Sequence, residues 1–238
     1  AAFLNLYGME GGTGMYVGEI AAGGALNPEK HFYEEVIVIL EGEGATEIWQ
    51  DGGKKQMFEW APWSLFAPPL NTWHRLINGG RTPVKYLSVS NAPLVMDIVH
   101  NEDFIFNCPY NFADRYAAGD GYFNQGLKRY ESGMQHIWET NFISDIQTAN
   151  VDSREVKGAG VGITQFEIAG NSLIGHLATW PAARYHKAHY HGAGAILLGL
   201  QSSGYVLLWS KELGTHPFES GHGDEVVVHH LPFRLQTG

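Results

Sequence analysis

The residues best equipped for chemistry sit in the first third of the chain, at regular intervals. The pattern is Gly23-x5-Glu29-x-His31-x3-Glu35-x6-Gly42, followed by Pro68 and then His74-x3-Asn78. Two imidazoles with one or two carboxylates form a donor set suited to Fe(II), Mn(II), Zn or Ni, with coordination positions left open for water or substrate. Positions 29 and 31 share a face of any strand that holds them, because side chains alternate. His31 and Glu35 are harder to bring together, since four residues of extended chain span about 13 Å. The backbone must therefore bend at 32–34, and a bulge or a loop does this at low cost. A structural reading of the same residues is also open. Glu34 and Glu35 could form a solvated strand edge, and His74 could be a satisfied core histidine beside Trp73.

A second group of imidazoles, His186-x2-His189-x-His191, stands near the other end. His189 and His191 would share a strand face in the same way. The position four residues after His191 is Ala195, so no carboxylate follows them. These histidines are either a metal-binding pair or a structural one.

Strands are what must position these groups. The run Val36-Ile37-Val38-Ile39-Leu40 is continuously apolar and mostly β-branched, which predicts a strand covered on both faces. Further strands are expected over 15–21, 46–49, 64–67, 74–77 and 84–89. They are separated by Gly-Gly, Asp51-Gly52-Gly53, Pro68-Pro69 and Asn78-Gly79-Gly80 turns. Residues 93–150 lack strand alternation and are expected to form short helices and a surface linker. Strand grammar returns over 160–169, 172–180, 193–200 and 204–209. The two halves read as a diverged repeat, with Met15–Ala21 corresponding to Ser172–Ala178, His31 to His191 and Trp49 to Trp209. In the second half, 228–235 resembles the closing strand 84–89, but no counterpart of the Pro turn and His74 lies before it.

The spacing over 14–90 resembles the two motifs of the cupin superfamily, with Glu29 standing where that family has its first histidine. His189 and His191 resemble the His-x-His of the same motif. The resemblance implies an all-β protein of two double-stranded β-helix (jelly-roll) barrels. A first barrel over 1–95 and a partly helical linker over 96–157 would precede an apparently incomplete second barrel over 158–238. It implies a divalent transition metal inside each functional barrel, on His31, Glu35 and His74 with Glu29 as a candidate fourth ligand, and on His189 and His191 in the second. Bicupin dioxygenases that cleave aromatic rings share this layout, and the expected function is an Fe(II)-type dioxygenase acting on a small organic acid or aromatic compound. The alternatives are a non-catalytic small-molecule-binding bicupin, or a Mn-dependent decarboxylase, which would need three histidines and a glutamate that neither half supplies. A storage role fits poorly with a single cysteine. Cupin barrels commonly pair, so a homo-oligomer is expected.

Composition narrows the field further. A net charge of −10 with 15 dispersed basic residues gives no positive footprint for nucleic acid or anionic membrane. The one cysteine, Cys108, excludes an internal disulfide and a thiolate zinc cage, and reads as a small buried hydrophobe. No apolar run is long enough to span a membrane and no secretory signal is visible at Ala1, so a cytoplasmic setting is expected. No nucleophile elbow, phosphate loop or dinucleotide fingerprint is present, and Gly158-Ala159-Gly160-Val161-Gly162 is best explained as a turn between strands. A small-molecule substrate is the expected partner.

Overall fold

The computed structural model describes residues 1–5, 8–116, 118–119, 121–124, 126–132, 135–152, 157–191 and 194–231. The chain is mostly β with few helices and divides into two compact units, Ala1–Ser153 with Gly162–Thr179, and Arg154–Val161 with Trp180–Gly238. Among the described residues no helix is long and apolar enough to cross a membrane.

Two antiparallel sheets of the first unit position the motif residues. One contains β1 (Ala2–Leu4), β2 (Gly14–Ile20), β8 (Val84–Ser90), β3 (Glu35–Glu41), β6 (Leu65–Phe66) and β11 (Phe142–Ile143), adjacent in that order. The other places β4 (Gly44–Trp49) between β5 (Gln56–Trp60) and β7 (Trp73–Ile77). Bridges from Ala25 to Ile77 and from Glu29 to His74 lay the segment before His31 along the free side of β7. The core unites both sheets: Ile20, Ile37, Ile39, Phe66, Val84 and Tyr86 from the first meet Trp60 and Leu76 from the second. β3 is buried on both faces, as its unbroken apolar run requires.

Turns set where the motif residues fall. Gly42 has φ +83°, and a Cβ there would lie 2.8 Å from Val84 Cγ2, so the glycine both turns the chain and admits β8 alongside. The pairing of β3 with β8 shifts register between Ile39 and Glu41, just before this turn. Asn78, from the end of the second motif, is a structural staple. Its buried side-chain amide donates to the carbonyls of Ile20, Ala21 and Thr82 at 3.0, 3.1 and 2.8 Å, and its Oδ1 accepts from the Gly80 N–H at 2.9 Å.

The segment expected as helices and linker contains both helices and strands. α1 (Ala92–Val99) and α2 (Glu102–Asn107) follow β8 directly, with the Asn101 side chain capping α2 by accepting from the Phe104 N–H at 2.8 Å. Beyond them, β9 (Lys128–Ser132) and β10 (Gln135–Thr140) join β12 (Gly162–Ile168) and β13 (Gly175–Thr179) in a further sheet of the same unit. Every residue of β9 is exposed, so this edge strand has no buried face to impose a period-2 pattern on its sequence. Cys108 is buried and free, as expected.

In the second unit, β14 (Gly204–Leu208) pairs antiparallel with β15 (Val227–Leu231). The expected strand at 193–200 is not formed over its described residues, 194–200, and positions 192 and 193 lie outside the described residues. The tail expected as a closing strand over 228–235 forms β15 as far as Leu231, and its remainder likewise lies outside.

Replacing Asn78 by alanine strands the carbonyls it serves in the core. The variant should lose about 2–3 kcal/mol of stability, read as a fall of about 5–10 °C in Tm by calorimetry.

Candidate metal centre

Three elements of the first unit converge on one point. His31 lies just before the bend at 32 and 33, Glu35 opens β3, and His74 lies in β7. The bend does what the spacing demanded, for His31 Nε2 comes within 3.5 Å of Glu35 Oε2 although the residues are four apart. His74 Nε2 lies 3.7 Å from the same oxygen, and one ligating atom from each of the three residues falls within 4.8 Å of the others. All three side chains are buried. Neither Glu34 nor Glu35 is the solvated strand edge expected of that pair, for both are buried.

The ring orientations are fixed from behind. His31 Nδ1 lies 2.8 Å from the Tyr33 carbonyl and His74 Nδ1 lies 3.0 Å from the Thr72 carbonyl. A carbonyl only accepts, so each Nδ1 carries a proton and donates it, and whenever a ring is neutral its lone pair lies on Nε2. Both Nε2 atoms are buried and neither has a hydrogen-bond partner. Tyr33 stacks on His31 with centroids 3.7 Å apart, and the His31 and His74 rings meet edge to face at 5.2 Å.

The carboxylate is held just as firmly. Glu35 Oε1 accepts hydrogen bonds from Ser88 Oγ and, at 3.3 Å, from the Tyr16 hydroxyl, while Oε2 faces the two imidazoles. Burial alone would raise the Glu35 pKa, but His31 and His74 outweigh it and hold this carboxyl far below the usual range. Burial alone would lower the His74 pKa, and Glu29 and Glu35 outweigh it to push the imidazole up to about 10. Burial first, then the Glu35 charge, raises the Tyr16 phenol, which therefore stays a donor at neutral pH.

Glu29 plays a different part. Its backbone exchanges hydrogen bonds of 2.9 Å with that of His74, and its Oε1 lies 3.6 Å from His74 Nε2. Its side chain is 45% exposed, which places it at the open side of the cluster rather than inside it. Glu34 points the other way, as strand alternation requires. It is also buried, and its carboxylate pairs with Arg115 Nη1 at 2.8 Å and accepts from the Ser172 N–H at 2.9 Å, the Ser172 hydroxyl and Asn91 Nδ2 at 3.3 Å. Trp73 also faces away from the cluster, stacking on Trp49 and donating to Asp51 at 2.6 Å. The loop carrying His31 is tied down by later residues: Phe32 N–H donates to the Ile105 carbonyl at 2.7 Å and Asn71 N–H to the His31 carbonyl at 3.1 Å.

Ser88, Tyr16, Arg115 and Ser172 were not singled out from the sequence. The signal for Ser88 was there in β8, where Val84, Tyr86, Ser88 and Ser90 share the face toward the core, so two hydroxyls interrupt an otherwise apolar pattern. Arg115 and Ser172 left no such signal, because they come from loops.

In the second unit, His189 and His191 lie in a segment without strand structure, so a shared strand face is not what brings them together. Their Nε2 atoms nonetheless stand 3.1 Å apart, with His189 Nδ1 2.8 Å from the Lys187 carbonyl and the His186 ring 4.7 Å from that of His189. Both residues are exposed.

Set beside known proteins, the chain matches no family model and no curated protein. Among solved structures it is similar to a recombinant oxalate oxidase in complex with glycolate, at 24% identity and a TM-score of 0.32, over 34% of this chain and 42% of that one. It is similar to an oxalate decarboxylase formate complex of Lactobacillus farciminis, at 20% identity and a TM-score of 0.33, over 34% of this chain and 25% of that one. It is similar as well to vicilin from Solanum lycopersicum (tomato), at 16% identity and a TM-score of 0.33, over 36% of this chain and 24% of that one. The chain thus spans less than half the length of each of these structures, and overlaps this partial carry no argument about activity.

The Glu35–His74 pair links folding to pH when no metal is present. The folded Glu35 pKa is lowered from 4.5, so its contribution is present above that value and is lost as pH falls. The folded His74 pKa is raised from 6.5 to about 10, so its contribution is full below 6.5 and is lost as pH rises toward 10. Thermal melts in chelator should therefore show declining stability from pH 6.5 to 10, and His74→Gln should remove that decline. Independently, Glu34→Gln should cost about 2 kcal/mol by denaturant unfolding, because it weakens a charge-assisted network.

Proposed function

We propose that this chain is a metal-dependent enzyme of the cupin type. Its centre is held by Nε2 of His31, one oxygen of Glu35 and Nε2 of His74, with Glu29 as a fourth donor at the open side. One observation carries this reading: two buried Nε2 atoms without partners face a single carboxylate oxygen, while both Nδ1–H groups are tied to backbone carbonyls. Buried polar atoms without partners are costly, and a divalent cation would satisfy both imidazoles and the carboxylate together. Imidazoles locked by carbonyls behind them are the usual supports of a metal ligand.

Two histidines and one carboxylate with open positions suit a non-haem Fe(II) oxygenase, so the activity is read as a dioxygenase acting on a small organic acid or aromatic compound. Bound iron would supply the one-electron and O₂ chemistry that side chains lack. The chain's own residues supply the rest. His31, Glu35 and His74 bind, Tyr33 packs flat on His31 and keeps its ring in place, and Glu29 stands where solvent and substrate would enter. A second reading, a non-catalytic small-molecule binder, is favoured by the nearness of Glu29 to His74, since a fourth protein donor leaves fewer positions for substrate. The His189 and His191 pair is proposed as a separate, exposed metal-binding pair.

Anaerobic reconstitution with Fe(II) or Mn(II), followed by elemental analysis and an oxygen-electrode substrate screen, tests this reading. Wild type should retain about one tightly held ion per chain, and His74→Ala and Glu35→Gln should each weaken binding by more than about 100-fold. His189→Ala should leave that ion in place. Because the His74 proton must leave before a metal binds, apparent affinity should climb by up to about tenfold per pH unit below the His74 pKa of about 10. Wild type that holds no divalent ion sinks the metal reading. A retained ion without oxygen uptake on any substrate points to decarboxylation or to simple binding.

A further inference from the structure

The two oxygens of Glu35 live in different surroundings. Oε2 faces His31 Nε2 at 3.5 Å and His74 Nε2 at 3.7 Å. Oε1 accepts from Ser88 Oγ and, at 3.3 Å, from the Tyr16 hydroxyl. Ser88 is fully buried, and its hydroxyl comes from the strand hydrogen-bonded to β3, so its place is set by sheet register rather than by a mobile loop. Tyr16 is the direct cross-strand partner of Ser88 on the opposite side of β8. One carboxylate oxygen is thus fastened from adjoining strands while the other is left for the imidazoles.

We propose that Ser88 and Tyr16 are positioning residues that hold Glu35 as a one-oxygen ligand. This rests on the reading of His31, Glu35 and His74 as a metal centre. With Oε1 engaged by two hydroxyls, the carboxylate presents Oε2 alone and is kept from turning to offer both oxygens. The protein then contributes one oxygen and two nitrogens from this cluster, and a coordination position that a two-oxygen carboxylate would fill stays open. Strand register supports the arrangement mechanically: Ser88 pairs with Ile37, one inward position along β3 from Glu35, so the serine reaches the carboxylate diagonally across the pair.

Cobalt(II) is the probe, because its visible spectrum reports coordination number independently of any catalysis. Wild type should bind Co(II). Ser88→Ala and Tyr16→Phe should each weaken binding several-fold, and the double variant about 10–100-fold. The visible bands should weaken as Glu35 turns to offer both oxygens and the coordination number rises. A double variant whose spectrum matches wild type, with affinity within about twofold, overturns the clamp while leaving the metal centre standing. Wild type that takes up no Co(II) overturns the metal reading itself, and the clamp with it. Should the double variant fail to fold, Tyr16→Phe, which removes one oxygen atom, decides the matter by the same spectrum and affinity.

Discussion

An ionised carboxylate in the middle of a β core has to be compensated, and the first unit is organised around doing so for Glu35. Water is excluded from it, so its charge must be met by fixed groups at short range. Two imidazoles meet one oxygen and two hydroxyls meet the other. Each of these partners comes from a separate piece of chain: the segment just before the bend at 32 and 33, β7, β8 and β2. The register of both sheets therefore matters to this one side chain. A slip of one residue in β3 would put Glu34 where Glu35 is and turn the charge toward the wrong partners.

The neighbouring glutamate shows how the same constraint is met without metal-type donors. Glu34 is buried to a similar degree, yet a guanidinium, an amide, a hydroxyl and a backbone N–H satisfy it. Two adjacent carboxylates thus reach opposite ends of polar design: one is fully saturated by protein, while the other keeps an oxygen facing two imidazole nitrogens that have nothing else to bind. The contrast gives the reading of the centre its force, because burial alone does not distinguish the two residues.

The segments that follow β8, helix α2 among them, belong to this organisation too. Carbonyls from residues 105, 108 and 110 hold Phe32 and Asn71, and Asn71 in turn holds the His31 carbonyl. Segments that look like connectors are therefore part of what keeps the imidazoles aimed. A long β-rich domain can afford such loops because its two-sheet core already excludes water from the inner faces.

Much of the centre was legible in the order of residues. Reach demanded a bend before Glu35, and the apolar run 36–40 required a strand buried on both sides. These follow from local geometry, which any chain carries in its sequence. The contacts between distant strands were not legible, because no local rule says which residue lies across a sheet. Ser88 and Tyr16 on Oε1, and Arg115 and Ser172 on Glu34, reach across 19 to 138 positions, and β10 and β11 are held by β12 and β6, strands remote in sequence. His189 and His191 mark the same boundary from the other side. Their spacing promised a shared strand face, and the fold brings their rings together in irregular chain instead. Local periodicity names the donors; long-range packing chooses their partners, since a side chain's environment is made by whatever the rest of the chain folds against it.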